Sequence, residues 1–359
     1  MAAPDLPDSS GAVPGDLRAI AGRVEARVAV LLDRETARWA ELDPRLVDPI
    51  EALRRLVLGG GKRLRPAFCH WGFVAGGGDP ADPVVVDAGA AYELLQAFAL
   101  VHDDVMDGSG RRRAAPTVHR WFEAIHDEAG WRGEGRRFGE GVAILVGDLA
   151  HVYADQLLPV GPPDVAAIWD ELRIELNIGQ YLDVLGTARR DLDPVAARQI
   201  ARYKSGKYTI ERPLHLGAAL AGRFGDLGAA LSAYGDPLGE AFQLRDDILG
   251  VFGDEAVVGK PVGDDLREGK PTLLLAIAAE RCNPAERELL DLVGTPDLAP
   301  GDVTRLQELF VSTGALAEVE TTIDQLSERA IAALAEAPVP DVARRALTEL
   351  APFVARRSA

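Results

Sequence analysis

Helical period governs this chain almost from end to end. Ala, Leu, Arg and Glu recur at three- and four-residue spacing, while alternating runs of β-branched residues are scarce. The pattern predicts helices over 16–42, 45–58, 63–76, 83–107, 114–127, 139–159, 163–187, 193–211, 213–222, 225–253, 271–280, 284–293, 302–313, 315–336 and 339–357. Clusters of Gly, Pro and Asp at 59–61, 76–82, 108–110, 128–137, 159–163, 294–301 and 337–341 punctuate them. Pro213 is expected to kink or break the helix approaching it. No repeat of roughly 20–50 residues is evident, which removes solenoids. A chain patterned this way is all-α, and no shift in composition divides it, so residues 16–359 are expected to form one large helical domain.

With 359 residues, 47% of them apolar, there is material for a large core. The formal net charge of −17, from 56 acids against 39 bases, opposes bulk attraction to nucleic acid or an anionic membrane. Any bound anion must therefore be met by a local basic cluster. Two cysteines, Cys69 and Cys282, fit a reduced compartment better than a disulfide scaffold. No apolar run approaches the length of a bilayer span, and residues 1–15, MAAPDLPDSSGAVPG, lack the blocks of a signal peptide and read as a disordered tail. The expectation is a soluble, cytoplasmic protein.

The stretch LVHDDVMDGSGRRR (100–113) places Asp103, Asp104 and Asp107 on a helix, with Arg111, Arg112 and Arg113 just past its end. Asp103 and Asp107 are i,i+4 on one face, Gln96 lies on the same stripe two turns earlier, and Asp104 points about 100° away. Aligned carboxylates with no His or Cys on their stripe suit a hard cation, and Mg²⁺ is the default because it leaves room for waters or phosphates. A second acidic helix, FQLRDDILGVFGD (242–254), carries Gln243, Asp246, Asp247, Gly250 and Asp254 at turn spacing. Two such helices facing each other would suit a diphosphate held through several metal ions.

Basic residues sit beside glycine in the same manner. GGGKRLRP (59–66) brings Lys62, Arg63 and Arg65 to a helix start, where backbone N–H groups and the dipole favour anions. YKSGKY offers Lys204, Ser205 and Lys207, and GKPVGDDLREGK supplies Lys260 and Lys270. Each motif alone also fits a solvated, salt-bridged surface, and GGGKRLRP is no Walker loop. Their joint occurrence in this order does not. His102, His119, His126, His151 and His215 show no metal spacing, the five Trp are scattered, and LGAALAG (216–222) reads as tight helix packing.

Taken together, these residues resemble the trans-isoprenyl diphosphate synthases, the polyprenyl synthetase family that includes farnesyl and geranylgeranyl diphosphate synthases. The resemblance runs from about residue 45 to the C-terminus through GGGKRLRP, DDVMD with RRR, GQYLD, KSG, and QLRDDILGVFGD leading to GKPVGDDLREGK. It implies the isoprenoid synthase fold, a homodimer, and condensation of isopentenyl diphosphate with an allylic diphosphate. It also implies three Mg²⁺ per site, with Mn²⁺ as a substitute. Residue by residue, Asp103, Asp107 and Asp246 resemble the metal ligands, with Asp104 and Asp247 beside them in the catalytic motifs. Lys62, Arg65, Gln96 and Arg113 resemble the isopentenyl diphosphate pocket. Arg112, Lys204, Ser205, Gln243, Lys260 and Lys270 resemble the holders of the allylic diphosphate, and Gln180 and Asp183 a polar pair in the cavity wall. Three positions depart from the commoner pattern: Gln96 for His, Ser205 for Thr, and Gly250 for the third Asp of the second motif.

The resemblance also bears on product length. The growing tail runs from the metals toward the start of the DDVMD helix, past Ala99, Phe98 and the deeper Leu95. An aromatic five residues before an uninterrupted first motif, with none at four, accompanies a twenty-carbon product in the family. Phe98 and Ala99 fit that pattern, so geranylgeranyl diphosphate is expected, ahead of farnesyl diphosphate and longer chains. A class I terpene cyclase would leave Lys62, Arg65, Gln96 and Arg113 without a use. A non-catalytic partner subunit would have lost aspartates from its first motif.

Overall fold

The computed structural model describes residues 15–253, 262–295 and 298–356. The expected tail over 1–14, and the expectations for Asp254 and Lys260, lie outside the described residues. Backbone contacts gather the chain into two compact units, one of Gly15–His70 with Asp79–Val160, the other containing Trp71–Gly78 and the residues from Gly161 onward.

The first unit holds α1 (Gly15–Ala40), α2 (Val47–Leu58) after a 3₁₀ turn at Pro44–Leu46, the opening turns of α3 (Leu64–Ala75), and α4 (Pro83–Asp107). A two-stranded hairpin follows, β1 (Arg111–Arg112) and β2 (Ala115–Pro116), then α5 (Val118–Glu128) and α6 (Gly135–Leu157). The Asp82 side chain caps α4 by accepting the Val84 N–H, and Pro83 occupies the first turn, where no N–H is needed. Gly108 ends the helix at φ 68°, its N–H returning to the Asp104 carbonyl. α4 packs along α6 and α1, burying Leu94 and Leu95 with Leu31, Phe68 and Val146. By length and composition alone α4 would cross a bilayer, which corrects the expectation that no apolar run is long enough. Much of its apolar surface is nonetheless buried inside the protein, and it carries Glu93 and four aspartates, as a core helix does.

The second unit holds α7 (Pro163–Arg189), α8 (Pro194–Ile200), a π-helical segment (Ala201–Glu211), α9 (Arg212–Leu220) and α10 (Phe224–Phe252). It continues with α11 (Asp264–Glu268), α12 (Leu273–Arg281), α13 (Pro284–Leu290), α14 (Pro300–Ser312), α15 (Ala315–Glu336) and α16 (Asp341–Ala355). Leu244 and Ile248 of α10 form its core with Leu274, Phe310 and Ile323.

The sequence pattern is corrected in four places. The expected helix over 193–211 widens to π geometry from Ala201, and Pro213 neither breaks nor ends it. Instead the Arg212 N–H reaches five residues back to the Lys207 carbonyl, and Pro213 falls in the first turn of α9. The helix expected from 114 starts at Val118, because Arg113 and Ala114, both at positive φ, turn a hairpin pairing Arg112 with Ala115. α6 starts at Gly135, inside a stretch that its glycines marked as a break. α11 was not anticipated.

Candidate active site

Asp103 and Asp107 lie one turn apart on α4, both half-buried. The neighbouring His102 turns to α6, its Nε2 3.0 Å from the Ile144 carbonyl, over a Gly147 that leaves no room for a Cβ. The face is thus offered to a ligand by oxygen alone, the donor set of a hard divalent cation, and Mg²⁺ fits it. Asp104 points into protein. Arg112 grips it with a two-nitrogen fork, Nε at 2.9 and 3.0 Å and Nη2 at 2.7 Å, and lies 3.6 Å from Asp103. The Gly108 cap and the tight hairpin are what bend Arg112 back along the helix it follows.

The basic loop divides its labour. Arg63, at φ 50°, is buried: its Nε donates to Glu25 at 2.9 Å, and its Nη atoms donate to Glu93 on α4 and to the Val57 carbonyl. That anchor leaves Lys62 and Arg65, on either side of it, half-buried. Arg113 extends over the same loop and donates to the Gly60 and Leu56 carbonyls. Part of its surface stays in water, yet nearby protein depresses its pKa, and Arg63, Arg112 and Arg65 add to the effect against the pull of Glu93. Like charges crowded this way are relieved by an anion. The Gln96 amide oxygen is buried with no hydrogen-bond partner among the described residues. Turning that amide over presents its NH₂ to an anion.

In the second unit, Gly179 of α7 lies flush against the backbone of the π segment, where a Cβ would come within 2.3 Å of the Lys204 nitrogen. Gly206 and Gly239 meet in the same way between that segment and α10. This packing sets Lys204 with its Nζ 2.6 Å from the buried carboxylate of Asp183, and Ser205 follows, half-buried. Gln180 lies one turn before Asp183 on α7. On α10, Asp246 is exposed, whereas Asp247 is buried and accepts the Gln243 Nε2 at 2.7 Å. Burial pushes Asp247 up to about 8, with Asp265 and Asp246 adding to the rise and Gln243 and Lys270 opposing it. Asp246 is therefore the member of the pair that faces solvent. Lys270 bonds to Asp265 at 3.3 Å and to Glu268 at 2.6 Å.

Of the residues expected to set product length, Leu95 is fully buried on α4. Phe98 stacks on His151 of α6 at 4.8 Å and meets His102 edge-on at 4.7 Å. Ala99 is half-buried. Sequence reasoning missed the anchoring pair Arg63 and Glu93, and Asp265. Glu93 inside an apolar run was the available signal for the first.

The polyprenyl synthetase family profile matches residues 49–310. The chain is 33% identical to the geranylfarnesyl diphosphate synthase of Aeropyrum pernix over 304 residues, 82% of this chain and 89% of that one. It is 32% identical to the geranylgeranyl diphosphate synthase of Mycobacterium tuberculosis over 348 residues, 91% of each. Among solved structures, geranylgeranyl pyrophosphate synthase from Corynebacterium glutamicum, complexed with isoprenyl diphosphate and magnesium, matches with a TM-score of 0.90 at 40% identity. That match covers 95% of this chain and all of that one. These matches make it a short-chain trans-prenyltransferase of the isoprenoid synthase fold. The chain belongs to the polyprenyl synthetase family.

Proposed function

We propose that this enzyme makes geranylgeranyl diphosphate by adding isopentenyl diphosphate to allylic diphosphates, with residues 16–359 acting as one catalytic domain. The placement of Arg113 over the loop that carries Lys62 and Arg65, donating to the Gly60 and Leu56 carbonyls, carries the reading, because it gathers basic side chains at one place in a chain of net charge −17. Lys62, Arg65, Gln96 and Arg113 take the diphosphate of isopentenyl diphosphate. Arg112, Lys204, Ser205, Gln243, Lys260 and Lys270 hold that of the allylic substrate. Asp103, Asp107 and Asp246 hold three Mg²⁺, which Mn²⁺ can replace. When bound, these ions neutralise the charge that collects on the departing diphosphate. The basic side chains orient the two substrates and stabilise the same charge, in a wall that excludes water from the allylic cation. The isopentenyl double bond forms the new carbon–carbon bond, and a proton then leaves.

Relatives that are named geranylgeranyl diphosphate synthases support the twenty-carbon product, as does the small Ala99 beside the packed Phe98. Exposed apolar residues at helical spacing, Leu145 and Val152 on α6 and Ile174, Ile178 and Tyr181 on α7, support a homodimer. The free cysteines Cys69 and Cys282 suit a cytoplasmic location. The deciding experiment supplies Mg²⁺, isopentenyl diphosphate and farnesyl diphosphate to the purified chain, then identifies the dephosphorylated products. A linear twenty-carbon alcohol is expected. A cyclic hydrocarbon would point to a terpene cyclase, and no turnover to a partner subunit.

A further inference from the structure

Buried ion pairs in the second unit converge on the π segment. Glu175 of α7 is buried, and its carboxylate accepts Nε and Nη2 of Arg212, each at 2.6 Å, while Nζ of Lys207 lies 3.6 Å away. Lys207, also buried, donates to Glu211 at 2.7 Å, and Glu211 accepts the Ser232 hydroxyl of α10 at 2.7 Å. One carboxylate here serves two residues that are five apart. At α-helical winding such residues point about 140° away from each other. In π geometry the hydrogen bonds close over five residues, so residues five apart come one above the other. The Arg212 N–H does bond to the Lys207 carbonyl. Glu175 therefore grips the side chains of the same two residues whose backbones make that bond.

Glu175, Gly179 and Asp183 stand at i, i+4 and i+8 on one stripe of α7, all of them buried. Gly179 meets the backbone of Tyr203 and Lys204, and Asp183 accepts the Lys204 Nζ at 2.6 Å. The stripe holds both ends of the segment, Asp183 at Lys204 and Glu175 at the last turn. Rewinding the segment to α geometry would turn Lys204 and Ser205 relative to α9. We propose that Glu175 is a positioning residue for the allylic diphosphate: by bridging Lys207 and Arg212 it keeps the π register that aims Lys204 and Ser205. The inference rests on the role given to those two residues above. Buried ion pairs add little net stability, yet they select one arrangement among several, so the bridge should act on substrate binding beyond any effect on folding.

Steady-state kinetics of the full chain, varying farnesyl diphosphate and isopentenyl diphosphate in turn, tests this beside urea titration. Glu175→Gln should raise the KM of farnesyl diphosphate at least about ten-fold and leave that of isopentenyl diphosphate within about two-fold. Because that change leaves a buried cation in excess, Lys207→Gln is added to restore neutrality. The pair should regain unfolding midpoint but keep the raised KM. Glu175→Asp, with its charge intact and its reach one methylene shorter, should show the same split, and it carries the test if Glu175→Gln does not fold. An equal rise in both KM values, a normal farnesyl diphosphate KM, or recovery of that KM in the neutral pair overturns the inference alone. Lys204→Met reads the underlying assignment and should itself raise the farnesyl diphosphate KM. An unchanged KM in that variant overturns the assignment and this inference with it.

Discussion

Asp103 and Asp104 are chain neighbours whose carboxylates leave α4 about 100° apart, and the surroundings divide them. Asp104 is buried in the fork of Arg112, while Asp103 remains at the half-buried face shared with Asp107. Substitution should therefore separate catalysis from folding. Asp103→Ala is expected to lose more than about 100-fold in turnover, roughly 3 kcal/mol of transition-state stabilisation, with its unfolding midpoint nearly unchanged. Asp104→Ala strands a guanidinium that is largely inside protein and should cost about 3 kcal/mol of folding stability. Steady-state kinetics beside urea titrations reads both effects. Near-normal turnover in Asp103→Ala would remove that residue from the metal site. The spacing of Asp103 and Asp107 was legible in sequence because it is local. The partner of Asp104 was not, since nothing before the hairpin forms says which of three adjacent arginines turns back.

Two elements control geometry beyond single residues. The π segment is seated by glycine on both sides, so its register depends on Gly179 and Gly206. A methyl on Gly179 meets the Lys204 backbone, which cannot rotate away. Gly179→Ala should cost about 1–3 kcal/mol of stability. It should also lower turnover by displacing Lys204 from its place beside Asp183. Turnover and stability both at wild-type level would show that the close approach relaxes freely. The other element is the α4–α6 pair. Each turn of α4 advances about 5.4 Å, near one isoprene unit, so bulk at 99 decides how far a tail descends. Ala99→Phe should shift the product toward fifteen carbons by chromatography of the alcohols. Phe98→Ala should lengthen it, although losing the stack on His151 will also loosen α4 from α6. An unchanged product in both variants would place the floor on another helix.

At the scale of the whole chain, acid sensitivity has an identifiable source. Burial holds His70 and His215 down to about 4. Around His215, Arg212 donates to Nδ1 at 3.3 Å, while Nε2 faces the Gly228 carbonyl at 3.2 Å, an arrangement that requires the neutral ring. An unfolded histidine takes its proton near pH 6.5, and these two take theirs only near 4. Between those values the unfolded chain binds more protons, so stability falls as pH is lowered, by about 2 kcal/mol per histidine at pH 5. Urea unfolding at pH 7 and pH 5 should show a smaller drop for His215→Gln than for the parent. Parallel drops would assign the acid sensitivity to other groups.

The amino-acid sequence by itself determined what depends on near neighbours. Helical period marked nearly every helix, and the i,i+4 spacing marked Asp103 and Asp107 as sharing one face. What only the tertiary structure decided is which member of each charged cluster faces inward. Arg63 is buried because Glu93, 30 residues away, meets it, while Lys62 and Arg65 on either side stay half-buried. Asp265 lies against Gly250 because α11 returns there. Pro213 sits inside a continuous helix because the π turns before it shift the hydrogen-bond register. Burial of a charge is settled by its partner, and a partner distant in sequence leaves no periodic trace.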